Sequence, residues 1–283
     1  MAGQTSAITI GSYNVLVVAR RSEFGLFLSA AGEEVLLPNR YVPADAKEGD
    51  RLRVFVYTDS EDRPVATLQE PKAVVGDFAF LQVVDVNRFG AFLDWGLEKD
   101  LFVPFAEQAK PMEKGKSYVV RLCLDERSRR VIGVSRLSRF LSRCPRGLVP
   151  GKKVNLLVFD ASPLGYSVII DGAYRGLLHH DNTAGSLTVG TRCEGYIQRI
   201  RPDLLVDVSL RRQGLEAVVE ARPRILELLE KEGGFLPLGD KADARLIERT
   251  FGLSKKSFKK VIGNLYRDRL IEILPDGIRL VTK

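Results

Sequence analysis

The chain has 283 residues, with 43 Lys and Arg against 36 Asp and Glu, a formal net charge of +7, and 45% hydrophobic residues. This composition supports packed cores and excludes a disordered chain, which combines few apolar residues with high net charge. No window reaches the roughly 18 uninterrupted apolar residues of a membrane span. The first residues show neither the basic nor the apolar region of a signal peptide, so a cytoplasmic protein without a membrane partner is expected. Cys123, Cys144 and Cys193 are an odd number, spaced too widely for a zinc knuckle, and read as reduced thiols.

Three segments share one skeleton. The first runs Gly11, Phe24-Gly25-Leu26-Phe27, Leu36-Leu37-Pro38, Gly49; the second Gly76, Phe89-Gly90-Ala91-Phe92, Phe102-Val103-Pro104, Gly115. The third runs Gly151, Leu164-Gly165-Tyr166-Ser167, Leu177-Leu178-His179, Gly190. The first interval between glycines is 14 in every copy and the last interval is 11. Val15–Val18, Phe78–Val86 and Val154–Phe159 are rich in β-branched and aromatic residues, which fits strands. The glycine of the second run fits a bulge or a bent strand that closes a small barrel. About 65 residues and five strands per copy suit a Greek-key barrel of the OB type, which leaves no free sheet edge. The fold class expected is therefore mainly β and multidomain: three tandem five-stranded OB-fold barrels at 1–71, 72–136 and 147–211, with a basic linker at 137–146.

The order Gly, Phe-Gly-x-Phe and then Gly-Leu-x-His resembles the S1-type RNA-binding domain. That resemblance implies that the two aromatics and the histidine share one barrel face and contact single-stranded RNA, helped by basic residues near the last strand. The residues it nominates are Phe24 in the first copy, and Phe89, Phe92, Arg127, Arg129 and Arg130 in the second. In the third they are Tyr166, His179, Arg199 and Arg201. Exposed aromatic rings offer a face on which any base can stack, worth roughly 1–3 kcal/mol per base. The copies depart from the pattern: Pro38 and Pro104 stand where the family has His, and Leu164 and Ser167 stand where it has aromatics. Phe27 and Phe92, each followed by Leu, read equally well as barrel core. His179-His180-Asp181 lacks the i, i+4 spacing of a zinc-binding helix, so no metal site is expected.

After Arg211 the apolar period becomes helical. Ala221–Glu232 places Ile225, Leu228 and Leu229 on one face, Asp243–Phe251 places Leu246, Ile247 and Thr250, and Ser254–Arg267 places Phe258, Val261, Ile262 and Leu265. Asp240 and Ser254 are the expected N-caps. Two apolar runs around Pro275-Asp276-Gly277 signal a hairpin, so 212–283 reads as a winged-helix domain of α+β type. Its third helix carries Lys255, Lys256, Lys259, Lys260 and Arg267, which read either as solvated charge or as phosphate contacts.

The charge is graded along the chain. Residues 1–71 carry seven basic and ten acidic groups, a net −3, whereas 136–211 carry eleven against six (+5) and 212–283 fifteen against eleven (+4). Arg127 to Lys153 holds nine Lys and Arg with no Asp or Glu, and Arg136, Arg139, Arg143 and Arg146 follow one another at near-helical spacing. Such a run attracts phosphate.

No phosphate-binding glycine loop, dinucleotide fingerprint or nucleophile with a base is present, and the chain has only two histidines, so no enzyme, cofactor or small-molecule substrate is expected. Three tandem S1-type barrels followed by a winged helix are similar to the bacterial conserved virulence factor B family, with Lys99-Asp100-Leu101-Phe102-Val103-Pro104 among the matching residues. By that resemblance the chain is expected to be a cytoplasmic, single-stranded-RNA-binding regulator acting after transcription on virulence or stress genes. A DNA-binding transcriptional regulator using the winged helix is the alternative, and a protein adaptor the third reading.

Overall fold

The computed structural model describes residues 7–142, 145–183, 185–210, 215–239 and 241–281, with backbone alone for 215–220. The first barrel is built from β1 (Ser12–Ser22), β2 (Gly25–Ala30), β3 (Glu33–Pro38), β4 (Arg51–Thr58) and β5 (Pro64–Thr67). The second comprises β6 (Phe78–Asn87), β7 (Gly90–Leu93), β8 (Leu101–Pro104), β9 (Ser117–Leu124) and β10 (Val131–Val134). The third comprises β11 (Lys153–Ser162), β12 (Gly165–Ile170), β13 (Tyr174–His179), β14 (Arg192–Ile200) and β15 (Val206–Ser209). All three close with the same strand order, first-second-third-fifth-fourth, and the third and fifth strands are parallel.

The glycine skeleton is a hydrogen-bond skeleton. Gly11, Gly76 and Gly151 all have positive φ, and their amides donate to Val56, Leu122 and Ile197 at 2.7, 2.9 and 2.7 Å. Gly49, Gly115 and Gly190 repeat the arrangement, donating to Val18, Val83 and Val158 at 2.9, 2.8 and 2.8 Å. The expected bulge lies elsewhere than at the second-strand glycine. The register slips on the first strand, between Val18 and Arg20, Val83 and Asp85, and Val158 and Asp160. Gly25, Gly90 and Gly165 instead permit a close approach: a Cβ there would stand 2.0, 2.3 and 2.3 Å from the carbonyl oxygens of Leu37, Val103 and Leu178.

The chain divides into two compact units, residues 1–140 and 141–283. Inside the first, the two barrels share a core. β4 is buried on both faces: Val54 and Val56 pack into the first barrel, whereas Phe55 and Tyr57 join Trp95, Leu101 and Leu122 in the cluster of the second. In the second unit the third barrel has its own core around Leu156, Val168 and Val208.

The remaining elements are α1 (Leu215–Lys231), β16 (Phe235–Leu236), α2 (Ala244–Phe251), α3 (Lys255–Arg267), β17 (Ile271–Leu274) and β18 (Gly277–Leu280). The last two form the expected hairpin, and β16 adds a third strand on the far side of β18. Ser254 caps α3, accepting from the Ser257 amide at 3.1 Å. The cap of α2 is Asp243, which accepts from the amides of Arg245 and Leu246, while Asp240 lies outside the described residues. Ile225, Leu229, Ile247, Phe258, Val261, Ile262 and Leu265 fill the core as their spacing requires. Leu246 does not: α2 turns Ile247 and Phe251 inward, an i, i+4 pair, and leaves Leu246 exposed. No helix of the described residues is long and apolar enough to cross a membrane.

Candidate nucleic-acid interface

The second strand of each barrel alternates about its glycine. Leu26, Ala91 and Tyr166 follow the glycine and point inward, as do Leu28, Leu93 and Val168 two residues on. Phe24 and Phe89 precede the glycine and stand 64% and 59% exposed. Phe27 and Phe92 lie on the outer face rather than in the core and are half-buried. Phe27, Phe89 and Phe92 each have a local support. The Arg20 guanidinium lies 3.7 Å from the Phe27 ring centre, Arg88 lies 4.7 Å from that of Phe89, and Phe92 leans on Phe102 with centroids 5.2 Å apart.

Tyr166 does not belong to such a surface. It occupies the inward position held by Leu26 and Ala91, is 6% exposed, and its hydroxyl accepts the Leu187 amide at 3.0 Å. Leu164 and Ser167 take the two outer positions of the third barrel, where no aromatic ring stands.

The third barrel presents a charged cluster in its place. The Asp207 carboxylate is fully buried, and its oxygens accept from Arg199 Nε at 2.6 Å and from Arg201 Nε and a terminal nitrogen at 2.9 and 2.6 Å. Arg201 also lies 3.0 Å from His179 Nε2. Burial raises the Asp207 pKa, but the hydrogen bonds from Arg201 and Arg199 outweigh it and hold the group below the ordinary carboxylate value. One fixed anion thus orients two guanidiniums, leaving the Arg199 side chain largely exposed and the cluster net positive. His180 turns away from it, edge-on to Tyr166 with centroids 5.0 Å apart.

The basic run is less uniform than its composition. Arg127 and Arg129 are exposed on the β9–β10 turn, whereas Arg130 is paired with Asp62 of the first barrel. Arg139 pairs with Glu107, and Arg136 donates to the Ala106 carbonyl at 2.9 Å. Among the described residues, the near-helical spacing yields one short 3-10 turn, Leu137–Phe140, with Leu137 and Leu141 buried. Arg146 is exposed, and Arg143 and Cys144 lie outside the described residues. On α3, Lys256, Lys259, Lys260 and Arg267 are exposed and Lys255 is half-buried, while Arg267 donates to Asn264 Oδ1 at 2.6 Å.

One cleft was not legible from the spacing. It has a volume of about 620 Å3 and lies between the β4–β5 turn of the first barrel and the outer face of the second. Phe89, Phe92 and Phe102 line it, together with Trp95, Asp100 and Asp62. Lys99 holds the turn in place, its ammonium donating to the carbonyl of Thr58 at 3.1 Å and to that of Asp59. Burial, the larger effect, outweighs the attraction of Asp62 and lowers the Lys99 pKa. Among the described residues, no group of three or more His, Cys, Asp and Glu side chains is placed to hold a metal ion.

Comparison with known proteins finds similarity at both ends of the chain. The S1 domain family matches residues 10–69, and the CvfB-like winged helix domain matches residues 223–280. Conserved virulence factor B of Staphylococcus aureus is 23% identical over 284 residues, covering 97% of this chain and 95% of that protein. The chain is similar to conserved virulence factor B along nearly its whole length. The Bacillus subtilis protein YitL, described as uncharacterized, is 27% identical over 267 residues, covering 91% of this chain and 89% of its own length. A crystal structure from Streptococcus pneumoniae, described as a multidomain protein with nucleic acid binding domains, is 24% identical, with a TM-score of 0.42 and coverage of 96% of this chain and 98% of that one.

Only the first barrel lies in the S1 match, yet the second and third repeat its strand order. The winged helix match runs from Pro223, inside α1, to the end of β18. S1 and winged-helix domains are nucleic-acid-binding types, so the architecture is that of a nucleic-acid-binding regulator.

Proposed function

We propose that the chain binds single-stranded RNA at several weak sites and regulates gene expression after transcription. The observation that carries this reading is the common placement of Phe24 and Phe89. Both rings stand outside their barrels one residue before the second-strand glycine, where an unpaired base can stack without regard to its identity. The Arg199, Arg201 and His179 cluster and the lysines of α3 supply contacts for phosphate. Linked weak sites raise one another's effective concentration, so the affinity of the whole exceeds that of any part. The similarity to conserved virulence factor B supports virulence transcripts among the targets, and we place its action, with stress transcripts as further targets, in the cytoplasm as part of the same proposal.

Filter binding of single-stranded RNA, single-stranded DNA and duplex DNA at two salt concentrations tests the proposal. RNA should be retained best, with affinity falling steeply as salt rises. Preference for duplex DNA would favour a transcriptional regulator acting through α3. Absence of nucleic-acid binding would favour a protein adaptor, and salt-independent RNA binding would overturn the phosphate contacts.

A further inference from the structure

The cleft between the β4–β5 turn and the second barrel combines two kinds of surface. Phe89, Phe92 and Phe102 give it aromatic walls, while Asp100 sets a half-buried carboxylate among them. Among the described residues, no donor or cation lies within bonding distance of that carboxylate, and the charges around it are those of Asp94 and Asp85. Burial first, and these two acids second, raise the Asp100 pKa. The other carboxylate of the cleft, Asp62, is already engaged by Arg130 and lies 3.8 Å from Lys99. A flat ring therefore meets apolar faces and one acceptor whose hydrogen-bonding capacity is unused. Lys99 and Arg130 also line the cleft, but both are set against Asp62, so among the described residues Asp100 is the lining charge without a partner.

The four bases differ in what they offer a carboxylate. Guanine presents two adjacent donors on its Watson–Crick edge, N1–H and the N2 amino group, matching the two oxygens of a carboxylate. Adenine and cytosine present one amino donor beside an acceptor, and uracil one N–H between two acceptors. A paired contact of this kind is worth about 1–3 kcal/mol in base discrimination. The volume of about 620 Å3 falls within the range of small-ligand sites.

We propose that this cleft takes one unstacked guanine of a bound strand, its ring against Phe89 and Phe92 and its donor edge on Asp100. The first barrel thus converts an aromatic platform that any base could use into a site that reads one base. This inference rests on the reading of the chain as a single-strand RNA binder.

The test uses the full chain and uridine-tract oligonucleotides bearing a single central guanosine or inosine, which lacks the N2 amine. The guanosine oligonucleotide should bind about tenfold more tightly, and Asp100→Asn should bring the ratio close to one. Equal affinities in the unmodified protein, or a preference that survives Asp100→Asn, would overturn the guanine site while leaving RNA binding intact. If no RNA is retained, the RNA reading fails, and the cleft is decided by nucleoside alone. Trp95, the chain's one tryptophan, lines the cleft, so guanosine should quench its emission more strongly than inosine does. No difference between the two nucleosides would then overturn the site as well.

Discussion

The ring of Phe55, on a strand of the first barrel, meets the indole of Trp95 in the second edge-on, with centroids 5.8 Å apart and planes at 77°. Tyr13 and Tyr57 complete the aromatic contacts around Phe55, which is fully buried. The two barrels are consequently two halves of one hydrophobic body. Phe55→Ala should cost about 3–5 kcal/mol, because a large buried ring is lost and its site collapses incompletely. Denaturant unfolding followed through Trp95 emission should show this loss, with the emission of the folded variant shifted to the red. A loss below about 1 kcal/mol would mean that the barrels are energetically independent.

Exposure separates Phe89 from Tyr166. Phe89→Ala should leave the melting temperature nearly unchanged and weaken RNA binding by the roughly 1–3 kcal/mol of one stacked base. Tyr166→Ala should lower the melting temperature by several degrees, since it removes a buried ring. Thermal denaturation and filter binding on the same two preparations check both statements. A large drop in melting temperature for Phe89→Ala would return that ring to the core.

Asp207 gives a pH dependence of known sign. Its pKa in the folded chain lies below its unfolded value, so the unfolded chain binds more protons in the interval between the two. Its contribution is complete above the unfolded value of about 3.9 and disappears as pH falls through the folded one. Asp207→Asn should cost about 1.5–3 kcal/mol at neutral pH, as hydrogen bonds to a charged group are lost. It should also flatten the acid side of the stability curve. Unfolding free energies measured from about pH 2 to pH 7 test this, and parallel acid limbs in parent and variant would assign the acid response to other carboxylates.

The lysines of α3 are checked by salt. If Lys256 and Lys260 each contact a phosphate, replacing both by Ala should reduce the slope of log affinity against log salt by about 1.4. Neither side chain is buried, so unfolding should be unaffected. An unchanged slope would assign these charges to solvent.

The barrels were legible because their glycines recur at constant intervals, and each interval corresponds to a turn that needs positive φ or a close backbone approach. The winged helix was legible because Ile225 and Leu229, like Phe258, Val261, Ile262 and Leu265, repeat at helical spacing. Tyr166 has the chemistry of a stacking residue but the phase of a core residue: one step from its glycine, it sits on the inward side. The shared core left a signal that spacing within one repeat does not reveal. Val54-Phe55-Val56-Tyr57 is an unbroken apolar run, the mark of a strand covered on both faces. Asp207 gave no signal at all. In Val206-Asp207-Val208 strict alternation turns the aspartate outward, and only the fold brings Arg199 and Arg201 over it.

The first-strand bulge falls eight residues after the opening glycine in every barrel, at Ala19, Val84 and Phe159, and the second-strand glycine always meets a third-strand carbonyl. What is constant among the copies is therefore backbone, while the outer positions hold phenylalanine in two barrels and leucine and serine in the third. Duplication of such a unit hands each copy a scaffold that survives drift on its outside. Paralogous barrels can then diverge in what they present without first having to relearn how to fold.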